Sequence, residues 1–314
     1  MLETIKNDAH AWGVVMAGGE GSRLQPLTRL ITGDNRPKQF CPIFGGETLL
    51  AQTRARIASA LALERTLFVV TQAHEHFYTG ELGEIDPVRL VVQPSNRGTA
   101  AAILYSVLRI SRLDRDAIVA FFPADHYYSD QSPLVAAIES AFEVARENDR
   151  SVVLLGAKPQ HPEVEYGWIE PGAEYACRLG NCSRVNRFLE KPSLQSAQDL
   201  MQRGGLWNTF VMVGRLRAFL AMIQSKLPHV FQAFERIAGY GNPQLEVQRA
   251  RHLYQTLDPA DFSRRVLTAS TKDLLVLHLG DSGWSDLGRP EWVMATLELA
   301  GIETGWRRVL VAGA

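Results

Sequence analysis

Five short stretches carry the residue types that phosphate and metal chemistry uses. The first is Ala17-Gly18-Gly19-Glu20-Gly21-Ser22-Arg23-Leu24. Its glycines let the backbone approach a phosphate chain with N–H groups pointing at it, and Arg23 adds a planar charged fork. The loop is neither G-x-G-x-x-G nor a Walker loop, since no Gly-Lys-Ser/Thr follows. Alone, it suits an ordinary turn as well as a nucleotide. Arg36-Pro37-Lys38-Gln39-Phe40 comes next, with two cations fit for a triphosphate or for solvated surface. Phe122-Pro123-Ala124-Asp125-His126 supplies a carboxylate suited to Mg²⁺, a hard ion that often takes only one or two carboxylates. A turn cap is the competing use of Asp125, and His126 is expected to orient a neighbour rather than bind metal. Gly283-Trp284-Ser285-Asp286-Leu287-Gly288 is by itself only a turn, but Asp286 beside Asp125 in space would complete a metal site. Phe188-Leu189-Glu190-Lys191-Pro192 sets opposite charges at a strand end, facing opposite sides unless the strand bends at Pro192.

The elements around these stretches alternate between short apolar strands and helical patterns. Strands are expected over 13–17, 66–71, 89–93, 117–122 and 152–157. Helices are expected over 49–63, 99–113 and 133–146. Continuous Val/Ile/Leu/Phe strands of this kind imply a Rossmann-like α/β fold, with a mostly parallel sheet and helices on both faces. Ligands then bind at the carboxyl ends of strands, which singles out the loops after Ala17, Gln93 and Phe122. From Glu165 to Val213 the pattern becomes short strand-like pieces (167–170, 185–190, 209–213) with one helix, suggesting an inserted lid or substrate subdomain. Residues 216–257 read as helix broken near Gly239-Pro243, 274–279 as a late strand and 290–299 as a final helix.

Composition is that of a packed globular chain: 314 residues, 46% hydrophobic and 21% charged. A net charge of −1 gives no electrostatic case for nucleic acid or an anionic membrane. The cysteines Cys41, Cys177 and Cys182 are odd in number and lack zinc spacing, so reduced thiols are expected. No basic-then-apolar leader opens the sequence, and no apolar run approaches the ~18 residues of a membrane span. A cytoplasmic address is the expectation.

Each signal is modest, but their order is specific. Gly18-Gly19-x-Gly21-Ser22-Arg23-Leu24-x-Pro26-Leu27-Thr28, then Pro37-Lys38, Pro123-Ala124-Asp125-His126, Glu190-Lys191-Pro192, Trp207-Asn208 and Trp284-Ser285-Asp286-Leu287-Gly288 together resemble the signature of sugar-1-phosphate nucleotidyltransferases. The resemblance covers roughly residues 12 to 291. Within the family, Pro37-Lys38-Gln39-Phe40, Asn96-Arg97-Gly98-Thr99-Ala100 and Pro123-Ala124-Asp125-His126 look most like the mannose-1-phosphate guanylyltransferases.

That resemblance implies a division of labour. Ala17, Gly18, Gly19, Gly21, Ser22 and Arg23 would cradle the nucleotide phosphates, and Lys38 would neutralise charge near the reacting phosphate. Gln93, Gly98 and Thr99 match the nucleotide- and base-reading region. Asp125 and Asp286 would hold Mg²⁺. Gly167, Glu190 and Asn208 would hydrogen-bond the sugar, and Lys191 would hold its phosphate. The implied reaction joins a sugar 1-phosphate, expected to be mannose 1-phosphate, to a nucleoside triphosphate, expected to be GTP. The alternatives are a glucose-1-phosphate uridylyl- or thymidylyltransferase and a catalytically silent regulatory paralogue. The partners implied are small molecules, with no nucleic acid and no membrane; a homo-oligomer is compatible with the sequence. One nucleotidyltransferase domain is expected, with a nucleotide-binding core about 12–160, a sugar-binding part about 161–290 and a helical end over 291–314. An appended cupin-like isomerase domain, carried by some relatives, is not expected. Two departures stand out. The stretch between Thr28 and Pro37 is longer than the family usually has, and Trp207-Asn208 continues Thr209-Phe210 where the family usually has Ser-Gly.

Overall fold

Val14 and Val15 are neighbours on the first strand, yet they belong to different cores. The computed structural model describes residues 5–177, 181–238 and 243–307. In it, β1 (Ala11–Met16), β2 (Thr66–Thr71), β3 (Leu90–Gln93), β4 (Ile118–Pro123), β5 (Val152–Ala157), β6 (Gly167–Glu174), β7 (Cys182–Glu190), β8 (Leu206–Arg215) and β9 (Leu274–Leu279) form one sheet. Their order is β3-β2-β1-β4-β8-β5-β9-β7-β6, with β8 also touching β6.

Helices cover both faces, as the apolar runs require. One face carries α4 (Thr99–Leu113), α7 (Leu216–Lys226), α8 (Pro228–Ala238) and part of α9 (Pro243–Thr256), which share one core with Val14, Leu67, Val69, Val119 and Phe121. The other carries α2 (Leu49–Ala60), α3 (Glu75–Leu82), α5 (Ser132–Glu147) and α6 (Leu194–Gln202), which share one core with Val15, Phe68, Val70, Ala120 and Phe122. Burying one such Val, Leu or Phe stabilises by roughly 1.5–3 kcal/mol. A one-residue slip of β1 would exchange its side chains between the cores, so register is fixed from both sides. A smaller cluster packs α10 (Pro290–Leu299) against the start of α1 (Gln25–Thr32) through Leu24, Leu27, Val293 and Leu297.

The sheet is mixed. β1, β2, β3 and β4 are parallel, as are β5 and β9. β8 runs antiparallel between β4 and β5, so the segment expected as an insertion continues the main sheet. β6 and β7 pair antiparallel and extend it past β9. The break expected at 239–243 falls largely outside the described residues. Among the described residues no helix is long and apolar enough to cross a membrane.

Candidate active site

A cavity of about 460 Å³ opens where β1, β3 and β4 end, and β6, β7 and β8 form its far wall. The glycine loop follows β1. Its three successive carbonyls are all held from behind. Buried Gln39 donates from Nε2 to the carbonyls of Ala17 (2.9 Å) and Gly19 (2.7 Å), and Thr71 Oγ1 donates to that of Gly18 (2.9 Å). In a planar trans peptide the N–H opposes the C=O. The N–H groups of Gly18, Gly19 and Glu20 are therefore turned away from these anchors. None of the three has a hydrogen-bond partner among the described residues. Such a run of free N–H groups is an anion cradle. A Cβ on Gly18 would lie 2.7 Å from Gln93 Nε2, so that side chain would have to shift. Gly21 adopts φ 59° close to the Lys38 backbone.

Where β3 ends, Gln93 is buried and Gly98 has φ 82°, its missing Cβ replaced by the carbonyl of Ala260. Ala100 N donates to Ala260 O, Ala260 N donates to Arg97 O, and Phe262 N donates to Thr99 Oγ1. This lacing brings Asp261 and Ser263 into the cavity wall. A single π-turn, Ser263–Leu267, begins there; such turns recur at functional sites.

Asp125 and Asp286 come from loops joined by main-chain bonds. Tyr127 and Ser285 exchange N–H···O bonds of 2.9 and 3.1 Å, and Ser129 N donates to Ser282 O. Lys38, 8% exposed, bridges the two aspartates: Nζ lies 3.3 Å from Asp125 Oδ2 and donates to the Asp286 carbonyl at 2.5 Å. Tyr166 OH and Gly288 N both donate to Asp286 Oδ1, each at 2.7 Å. Trp284 Nε1 donates to His126 Nδ1 at 3.1 Å. Indole is only a donor, so His126 carries its proton on Nε2. Burial pushes the His126 pKa down to about 3, leaving the ring neutral.

On the far wall, Gly167 pairs across the ladder with Glu190, and a Cβ on Gly167 would lie 2.8 Å from Glu190 Oε2. Burial pushes the Glu190 carboxyl up to about 7, with Asp261 acting in the same direction. Lys191 turns out of the strand with φ 52°, one residue before Pro192. Glu190 therefore lines the cavity while Lys191 reaches its rim. Asn208 lines the cavity too, and Phe210, where the family usually has glycine, adopts φ 60° beside it. Lys191, Phe210 and Leu287 are the non-glycine residues with positive φ among the described residues, and all three flank this site. Such a conformation costs roughly 1–2 kcal/mol each.

Free N–H groups, cations and carboxylates thus converge on one cavity. A nucleotidyl transferase family profile matches residues 12–298. The chain belongs to the nucleotidyl transferase family. Among similar proteins, the mannose-1-phosphate guanylyltransferase RfbM of Salmonella typhimurium is 31% identical over 281 residues, covering 88% of this chain and 56% of its own length. The mannose-1-phosphate guanylyltransferase of Escherichia coli K12 is 29% identical, over 88% of this chain and 57% of its own. The chain thus spans little more than half the length of these curated relatives. A Thermus thermophilus crystal structure described as a mannose-1-phosphate geranyltransferase superposes with TM-score 0.78 at 30% identity, covering 94% of this chain and 80% of that one. An inositol-1-phosphate CTP transferase of T. maritima, at 15% identity and TM-score 0.54, shares the fold alone.

In this member of the family, the structure gathers Gly18, Gly19, Gln93, Gly98, Thr99, Asp125, Gly167, Glu190, Asn208 and Asp286 around one cavity. Arg23 and Lys191 sit at its rim on Glu165, and Lys38 lies beneath the aspartates. Ala17, Gly21 and Ser22 are not among the residues lining the cavity: Ala17 is buried with its N–H on Val69 O, and Gly21 precedes the short turn Ser22–Leu24 that carries Arg23. Sequence reading missed Glu165, Tyr166, Asp261 and Ser263, and gave Gln39 no role. Gln39 was within reach, lying beside Lys38; Glu165 and Tyr166 had only their nearness to Gly167.

Proposed function

We propose that this chain is a sugar-1-phosphate nucleotidyltransferase that joins mannose 1-phosphate to GTP, releasing pyrophosphate. The observation that carries the reading is one cavity lined at one end by a free N–H cradle and at the other by Gly167, Glu190 and Asn208, with two aspartates between them. The relatives' names favour mannose and guanine among the members of the family.

The chemistry needs little proton transfer. The sugar phosphate is already anionic, and its oxygen attacks the α-phosphorus while pyrophosphate leaves. Two like-charged groups must be held in line, so positioning and positive charge do the catalysis. The loop N–H groups and Arg23 bind the nucleotide phosphates. Lys38, anchored on Asp125 and the Asp286 carbonyl, holds positive charge at the junction. Lys191 takes the sugar's phosphate. Glu190 and Asn208 bind sugar hydroxyls.

Asp125 and Asp286 fit a divalent hard cation. Both are oxygen donors on the cavity, and both hydrogen bonds to the Asp286 carboxylate fall on Oδ1. Two carboxylates and substrate phosphates suffice for Mg²⁺. When bound, the ion polarises phosphoryl oxygens.

A grid of four nucleoside triphosphates against mannose, glucose and other sugar 1-phosphates, with Mg²⁺, tests the reading by pyrophosphate release. GTP with mannose 1-phosphate is expected to lead. A lead for UTP or dTTP with glucose 1-phosphate would move the assignment within the family, and silence across the grid would leave a binding protein.

A further inference from the structure

Three cations from distant parts of the chain share one carboxylate at the cavity rim. Arg23 Nη1 and Lys191 Nζ each lie 3.2 Å from Glu165 Oε2, and Arg289 Nη2 lies 3.7 Å from Oε1. Glu165 itself lines the cavity. Hydrogen bonding from Lys191 holds its carboxyl below the usual range, so it is ionised across the neutral region. Two of the three cations are those assigned above to substrate phosphates. The third, Arg289, has no role in that assignment. Its guanidinium lies over the Trp292 ring, 5.4 Å from the centroid, which fixes its approach.

We infer that Arg289 is a third phosphate-binding residue at the sugar-phosphate end, and that Glu165 is the internal anion that holds Arg23, Lys191 and Arg289 together until phosphate displaces it. The inference rests on the phosphate-binding reading of Arg23 and Lys191. Its physical basis is a competition. All three cations are 42–51% exposed, and ion pairs of that kind are weak. A phosphate monoester near neutral pH carries close to two charges against one for the carboxylate, so it wins the exchange. The carboxylate keeps the cations convergent by accepting their hydrogen bonds, a role that an amide oxygen in its place retains without the competing charge. Glu165 therefore acts through the cations, as a positioning residue that also lowers their affinity for other anions.

The test uses the full chain, with inorganic phosphate and pyrophosphate as probes, read by calorimetry at low and moderate salt. Glu165→Gln is expected to tighten phosphate binding by about three- to tenfold, because the competing negative charge is gone. A merely structural role would give the opposite sign. Arg289→Ala is expected to weaken phosphate binding by a similar factor, and to do so in the Glu165→Gln background as well. In turnover, Arg289→Ala should raise the KM for sugar phosphate more than it lowers kcat. If Arg23→Ala and Lys191→Ala weaken phosphate binding while Glu165→Gln leaves it unchanged or weaker, this inference fails alone. It fails in the same way if Arg289→Ala has no effect. If neither Arg23→Ala nor Lys191→Ala changes binding, the functional reading fails and takes this one with it.

Discussion

On the proposed reading, the nucleotide end of the cavity offers phosphate backbone N–H groups held from behind by buried Gln39 and Thr71, whereas the rim, where Arg23 of the glycine loop meets Lys191 of the sugar side, offers charged side chains held by one another. The first arrangement is set when the chain folds, since the strand ladder and the loop anchors leave it no alternative. The second is a balance among Glu165, Arg23, Lys191 and Arg289 that a solute can shift, beside a Glu190 whose proton is marginal near neutrality. The contrast teaches that substitutions on the nucleotide side should act through geometry and stability. Those on the sugar side should act through charge, salt and pH.

The largest effect should come from the junction. Asp125→Ala removes a carboxylate shared by both ends, and turnover should fall on the order of 10²- to 10³-fold, with far-UV circular dichroism unchanged. Undiminished pyrophosphate release would remove the metal assignment.

Next is Gly98→Ala on the nucleotide side. Its Cβ would lie 2.3 Å from a backbone carbonyl, at a φ of 82°. Clash and strain together should cost at least about 2–3 kcal/mol, read as a fall in denaturation midpoint at every pH. A wild-type midpoint would show that the lacing to Ala260 yields, and would erase the contrast with the sugar end.

Glu190→Gln should show the contrary signature. The wild-type carboxyl has its pKa raised from 4.5 to about 7 by burial. The folded state therefore holds a proton that the unfolded state has lost between those values. The stabilisation is full below about 4.5 and is lost as pH rises toward 7. Glu190→Gln should flatten that decline, gaining roughly 1–3 kcal/mol over wild type at pH 8. The KM for sugar phosphate should likewise lose its inflection near 7. Parallel stability–pH curves for the two proteins would show that Glu190 does not titrate there.

Phe210→Gly should have the smallest effect on stability. Releasing a left-handed phenylalanine gains roughly 1 kcal/mol, while the lost burial costs about as much. The melting temperature should move little, while discrimination between mannose and glucose 1-phosphates changes as the cavity widens. An unchanged KM ratio would show that the Phe210 ring is not part of sugar selection.

The parts of this molecule that were legible in the sequence are those where one local force decides. Strands 66–71, 152–157 and 274–279 and helices 99–113 and 290–299 appear with the expected ends, because apolar runs and turn residues coincide there. The direction of β8 was not legible. Buried on both faces, it reads as the same continuous apolar run as a parallel strand, and only its partners make it antiparallel. In the site, motif residues were found because ordered spacing carried them. Glu165 was not, because its meaning lies in Arg23 and Arg289, which are far away along the chain. Phe210 and Leu287 gave no sign of positive φ, since their residue types avoid it and only the surrounding structure holds them there.

The exchange of main-chain bonds between Tyr127 and Ser285 has a consequence for how such a site can change over time. The separation of positions 125 and 286 is set by peptide groups rather than by the side chains they bear. Either position can be recast to suit a different ion or a different leaving group while the scaffold keeps its spacing. Substitution at either position should therefore leave the main-chain spacing between the two loops as it is.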